Sequence, residues 1–128
     1  MARYIDGFVF PLRREHLDRY QRVAEAVGEI WKEHGALDYV EFAGDDMHRE
    51  GTRPFAELAD STDDEVIVFG WVTFDSREAR DRVNAKIEAD PRMADLVAPL
   101  MDPSAPIFQA ERMAYAGFRP LVPGSDAK

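Results

Sequence analysis

The run EVIVFGWVTF at residues 65–74 has no polar side. In an extended strand Ile67, Phe69 and Trp71 point one way, and Val66, Val68, Val72 and Phe74 point the other. A half-buried strand alternates apolar and polar residues, so a run apolar on both faces has to be covered twice. Residues 4–11 show the same pattern, with Phe8, Val9 and Phe10 contiguous before Pro11 closes the segment. Between these strands the period changes. Leu17, Tyr20, Val23, Ala24, Val27, Ile30 and Trp31 recur at spacings of three and four, which predicts a helix over about 14–34. Asp18 with Arg22 and Glu15 with Arg19 lie four apart on its outer side, and Gly35 suits the left-handed closing position.

A second strand is predicted over 37–44, with Tyr39, Val40 and Phe42 as its apolar content. Residues 45–64 are polar, contain Gly51 and Pro54, and read as a mobile loop anchored by Phe55 and Leu58. After the 65–74 strand, Ser76 is placed to cap a helix whose stripe is Ala79, Val83 and Ile87. Asp90 caps and Pro91 opens a short third helix carrying Met93, Leu96, Val97 and Leu100. The connector MDPSAPIF leads to a last strand over 112–119. One domain is expected over 1–122, with a disordered tail over 123–128.

The order strand, helix, strand, loop, strand, helix, strand is one unit used twice. With right-handed crossovers it gives a ferredoxin-like α+β fold, a four-stranded antiparallel sheet with both helices on one face. A parallel doubly wound sheet is the competing arrangement. It is disfavoured because a single short turn separates Gly35 from the second strand, and no glycine-rich phosphate loop follows the first. The helix-free face would carry Phe, Trp, Tyr and Val side chains. Monomers seldom expose apolar patches beyond a few hundred Å². A symmetric homodimer, two sheets face to face around a cavity, is therefore expected. The alternative is a monomer whose long loop and third helix fold across the sheet.

Composition narrows the partners. The formal net charge is -9, with 16 basic residues scattered among 25 acidic ones, which disfavours nucleic acid and anionic membrane surfaces. No apolar run approaches the roughly 20 residues of a membrane span, and MARYIDGFVF does not read as a signal peptide. There is no cysteine, which removes disulfides and thiolate chemistry and fits a cytoplasmic location. No cofactor is expected, since no Walker or Rossmann pattern occurs.

YIDGFVFPL, IWKEHGAL, VFGWVTF followed by SREARDRVNAKIEADPRM, and ERMAYAGF together resemble domain-of-unknown-function family 1428 over about residues 4–122. The DPRM tetrapeptide and the RM-x-Y-x-GF ending make the resemblance specific. It implies membership of the dimeric α+β barrel superfamily, whose members are ferredoxin-like dimers. That superfamily includes cofactor-free oxygenases, lactone isomerases, haem enzymes and ligand-binding modules, so the fold leaves function open. The chain departs from the family pattern at Gln109, where an acidic residue is usual, and at Ala116, where a second glycine is usual. No catalytic residue follows from the resemblance.

Asp6 is the first candidate for chemistry, because a carboxylate inside a strand needs a partner or a shifted pKa. Arg112 or Tyr115, on the neighbouring last strand, could reach it, and it could serve as a general base beside an apolar pocket. Otherwise it is a strand-end carboxylate in water or a structural ion pair. His34 closes the first helix, where it could move protons at a cavity mouth or simply favour the helix carboxyl end. Asp45, Asp46, His48 and Glu50 form a loop cluster, but no metal is expected, because the histidines fit no zinc-ligand spacing. Trp71, Phe69, Tyr39, Tyr115 and Arg112 are the candidate ligand contacts, the aromatic ones by stacking. Ser61 and Ser104 have no triad partners. The readings are a dimeric module binding a small apolar molecule or a partner between its sheets, a cofactor-independent oxygenase or isomerase acting on a phenol or ketone, and a structural dimer without a pocket.

Overall fold

A computed structural model describes residues 3–124. Its strands are β1 (Tyr4–Arg13), β2 (Asp38–Ala43), β3 (Glu65–Phe74) and β4 (Ala114–Phe118). Its helices are α1 (Leu17–Glu33), the single turn α2 (Phe55–Leu58), α3 (Arg77–Ala89) and α4 (Pro91–Val97). The sheet order is β2-β3-β1-β4 with every neighbouring pair antiparallel, which is the ferredoxin-like arrangement. The caps fall where the sequence puts them. The Ser76 side chain accepts from the Ala79 amide at 3.0 Å, and that of Asp90 from the Arg92 amide at 2.9 Å. Gly35 closes α1 with a φ of 118°.

Register decides which side chains meet. On β1, Asp6, Phe8, Phe10 and Leu12 face the helices, and their β3 partners are Val72, Gly70, Val68 and Val66. Phe8, Phe10, Leu12, Val66, Val68 and Val72 form the core with Phe74, Ile30 of α1, and Val83 and Ile87 of α3. Leu100 and Ile107 of the connector close it. The opposite face presents Ile5, Val9, Val40, Phe42, Ile67, Phe69, Trp71 and Phe118; α1, α3 and α4 all lie on the other side, and only the single turn α2 reaches this face, through Phe55. There Phe42 is 55% exposed, Phe69 43% and Phe118 54%. The prediction that β3 is apolar on both sides therefore holds, with one side roofed.

Four details differ from expectation. β1 continues past Pro11, because Leu12 and Arg13 still pair with Val66 and Glu65. The proline is tolerated where β4 has already ended, since β4 pairs only with Ile5 to Val9. β4 starts two residues late, because residues 110–112 form a 3-10 turn. The 45–64 segment contains α2, and Phe55 lies tilted against Phe69 with ring centroids 5.7 Å apart. Leu58, expected as a second anchor, is instead exposed. Of the expected tail, residues 123 and 124 carry no regular structure, and 125–128 lie outside the described residues.

Candidate binding site between the helices and the sheet

Aromatic rings line the space between the sheet and helices α1 and α4. Phe8 and Tyr115 stack with centroids 6.0 Å apart, and Trp31 lies 6.2 Å from Tyr39. The Tyr39 ring rests on Gly28 of α1, where any Cβ would collide with it. Rings stacked in this way do not interdigitate fully, and a cavity of about 160 Å³ remains. Phe8, Val27, Trp31, Met93, Phe108 and Tyr115 are among the side chains around it, and its lining is overwhelmingly apolar.

Two carboxylates flank this cavity, and they are held differently. Glu41 of β2 faces the helices beside Tyr39. It accepts from the Tyr20 hydroxyl at 2.5 Å and from the Tyr39 hydroxyl at 2.7 Å, one on each oxygen. Burial pushes the Glu41 carboxyl above its ordinary pKa, and the two phenol hydrogen bonds only partly oppose that. Burial and the nearby Glu41 charge hold both phenols well above the usual tyrosine value. Asp6 has no exposed surface. It accepts from Arg80 Nη1 at 2.7 Å and from the Tyr115 hydroxyl at 2.8 Å. Arg80 lies 5.1 Å from the centre of the Tyr4 ring and also reaches Asp81 at 2.8 Å. Gly117 pairs with Asp6, and its missing side chain leaves the space Arg80 uses, since a Cβ there would strike Arg80 and the Tyr4 hydroxyl. Burial, followed by the bond to Asp6, raises the Tyr115 pKa.

The sequence-predicted residues separate into distinct places. Asp6 lies on the helix side of the sheet, away from the face on which two sheets would meet. Of its expected partners, Tyr115 reaches it, whereas Arg112 does not. Arg112 binds Glu65 at 2.6 and 3.1 Å and the Asp60 carbonyl at 2.9 Å, tying the end of the long loop to β3. Those contacts hold Glu65 down to about 2. His34 follows the last turn of α1, with Nε2 at 2.7 Å from Asp90 Oδ2. Asp90 is also bound by Arg92, so His34 is part of a clasp between α1 and α4. It shares no hydrogen-bond partner with Asp6. Tyr39 and Tyr115 face the cavity, while Phe69 and Trp71 lie on the other face of the sheet. Among the described residues no group of three or more His, Asp or Glu is placed to hold a metal ion.

Sequence reasoning missed Tyr20, Glu41 and Arg80 as site residues. Arg80 left a trace, because it lies three and seven residues before Val83 and Ile87, on the buried stripe of α3. Glu41 left one too, since it shares the inward register of Tyr39.

A sheet ordered β2-β3-β1-β4, with helices on one face and a ring-lined cavity beneath them, defines a ferredoxin-like α+β protein. Residues 3–103 match the family described as "Protein of unknown function (DUF1428)", and the chain belongs to that family. It is 32% identical over 120 residues to the uncharacterized protein YbaA of Escherichia coli strain K12, covering 94% of this chain and 97% of that protein. The YbaA of Shigella flexneri matches equally. Among solved structures, it resembles a nipsnap family protein of unknown function from Agrobacterium tumefaciens with a TM-score of 0.54. That likeness covers 92% of this chain and 87% of the other at 18% identity, and it is a likeness of fold alone.

Proposed function

We propose that the protein is a homodimer joined through the helix-free face of its sheet, and that each subunit binds a small apolar molecule between its helices and its sheet. The observation that carries the ligand reading is the cavity of about 160 Å³ among Phe8, Trp31, Met93, Phe108 and Tyr115. Its volume suits a single ring, since an engineered apolar cavity of roughly 150 Å³ takes up benzene. The dimer reading rests on Phe42, Phe69 and Phe118, each more than two-fifths exposed on one face. A hollow of about 350 Å³ on that face, lined by Ile5, Val9, Phe69, Trp71 and Phe118, would receive side chains of the facing copy. In this reading the ligand lies on the helix side rather than in the space between the sheets.

The alternative of a cofactor-independent oxygenase or isomerase gains no support from the two bases first considered. Both Asp6 oxygens are engaged by Arg80 and Tyr115, and His34 is engaged by Asp90.

Light scattering coupled to gel filtration is expected to give twice the 14.5 kDa chain mass, and 14.5 kDa at micromolar concentration would remove the dimer. For the ligand, benzene titrated against protein labelled at Met methyl groups should shift the Met93 signal saturably. Ala24→Phe, which fills the cavity, should abolish the shift. An unmoved Met93 methyl at saturating aqueous benzene would dismiss the ligand reading and leave the dimer reading intact.

A further inference from the structure

Outside the apolar cavity, on the far side of Tyr20 and Tyr39, α1 and β2 border an open groove of about 480 Å³. Tyr20, Gly28, Lys32, Tyr39, Glu41 and Phe42 line it. We propose that this groove binds a small organic cation, an ammonium group carried on an apolar or aromatic body, with Glu41 as its counter-charge. The proposal is independent of the cavity reading.

Glu41 carries the argument. An ionised carboxylate offers about four acceptor positions, and the two phenols take one on each oxygen. Phenols are neutral, so the charge itself is not offset by these bonds. Burying an ion without a counter-ion is costly, and the raised pKa of Glu41 is the same effect seen as a proton equilibrium. Lys32, the cation on the groove wall, is already paired with Glu29 at 3.0 Å. A guest ammonium beside Glu41 would supply the missing charge and add charge-assisted hydrogen bonds. It would also sit beside Tyr20 and Tyr39, whose ring faces attract cations. Gly28 makes the close packing of the Tyr39 ring against α1 possible.

The same features reject other guests. Glu25 and Glu29 also line the groove, so an anion would meet like charge from α1 as well as from Glu41. A bare metal ion would need further converging ligands, and none are grouped for it among the described residues. A neutral ring of equal size would leave Glu41 uncompensated.

The test uses benzylammonium as probe and benzyl alcohol as its neutral control, followed by amide NMR on the wild-type protein. Benzylammonium should shift Gly28, Tyr39 and Glu41 amides saturably, and the alcohol should bind at least several-fold more weakly. Glu41→Gln keeps the shape and a hydrogen-bonding amide, and it should weaken benzylammonium roughly tenfold or more. Should that variant fail to fold, the wild type decides by pH. Affinity should fall as Glu41 protonates, with a midpoint above the ordinary carboxylate range; Glu25, Glu29, Lys32 and the two phenols are the other titratable groups facing the groove. Equal binding of alcohol and ammonium, undiminished binding by folded Glu41→Gln, affinity unchanged by acid, or no shift at these amides would each overturn the proposal.

Discussion

Replacing Arg80 by methionine removes the cation from Asp6 while keeping an apolar stem of similar length against Tyr4. Asp6 is wholly buried, and in the variant its carboxylate would keep a single neutral donor, Tyr115 at 2.8 Å. Removing one member of a buried ion pair typically costs about 3–5 kcal/mol, because the other charge is stranded. The Arg80 side chain is 15% exposed, so water can partly replace it, and the expected loss is near the lower end, about 3 kcal/mol. For a chain of this size, that corresponds to a fall in melting temperature of roughly 10 °C.

The reverse change should be milder. Asp6→Asn leaves Arg80 with Asp81 at 2.8 Å and with water, so about 1–2 kcal/mol is expected. Combining the two changes should recover part of the Arg80→Met loss, since no buried charge is then stranded. Urea denaturation at fixed pH and fixed protein concentration measures all three, because association would otherwise change the apparent stability. An Arg80→Met variant within about 0.5 kcal/mol of the parent would refute the reasoning, as it would mean that Asp6 does not depend on this charge. A double variant less stable than Arg80→Met alone would refute it too.

Two further outcomes follow from the same kind of accounting. Glu65 is held at about 2 against an ordinary value of 4.5, chiefly by Arg112, so its folded pKa is depressed. Its stabilisation is present above pH 4.5 and is lost as pH falls towards about 2. Thermal melts across that window should show a shallower acid limb for Arg112→Gln than for the parent, and superimposable limbs would contradict the assignment. Gly117→Ala places a methyl group where Arg80 and the Tyr4 hydroxyl lie. The Arg80 end can move aside and the Tyr4 ring less so, so the cost should be about 1–2 kcal/mol, measured by urea denaturation, and an Arg80→Met background should reduce it without removing it, because the Tyr4 contact remains.

The strands and their two-faced character were legible because Val66 to Phe74 leaves no solvent side, and burial of alternate residues then fixes which face meets the helices. The caps at Ser76 and Asp90 were legible because they depend on residues within one turn. The site was legible only in fragments. Asp6 stood out as a carboxylate in an apolar strand, but the face it takes turns on a one-residue choice of register. Its partners lie 74 and 109 residues away, on a helix and on an edge strand. Nothing local distinguishes Arg80 from the other arginines of α3 except its place on the buried stripe. Glu41 shares the register of Tyr39, but on an edge strand beside apolar Val40 and Phe42 a glutamate reads as solvent-facing, and its inward place shows only once β2 is paired with β3. The cavity has no sequence signal at all, because it arises from how rings of Phe8, Trp31, Tyr39 and Tyr115 fail to fill the space between them.

Two acids on the helix side of the sheet are held differently, Asp6 fully buried and Glu41 half-buried. Asp6 and Glu41 occupy the same layer, between strands and helices, and both accept from tyrosine hydroxyls. Asp6 also has a guanidinium, a backbone partner without a side chain, and no exposed surface, which are the marks of a finished structural joint. Glu41 has phenols on both oxygens, no cation among its hydrogen-bond partners, and an open groove in front of it. A carboxylate serving stability alone would be better placed with a counter-ion or replaced by an apolar residue of similar size. Its place beside an open groove follows if the compensating charge arrives from outside. The carboxylate of β1 therefore locks α3 to the sheet, whereas the inward carboxylate of β2 has only phenols as side-chain partners and is the group proposed to receive a cation.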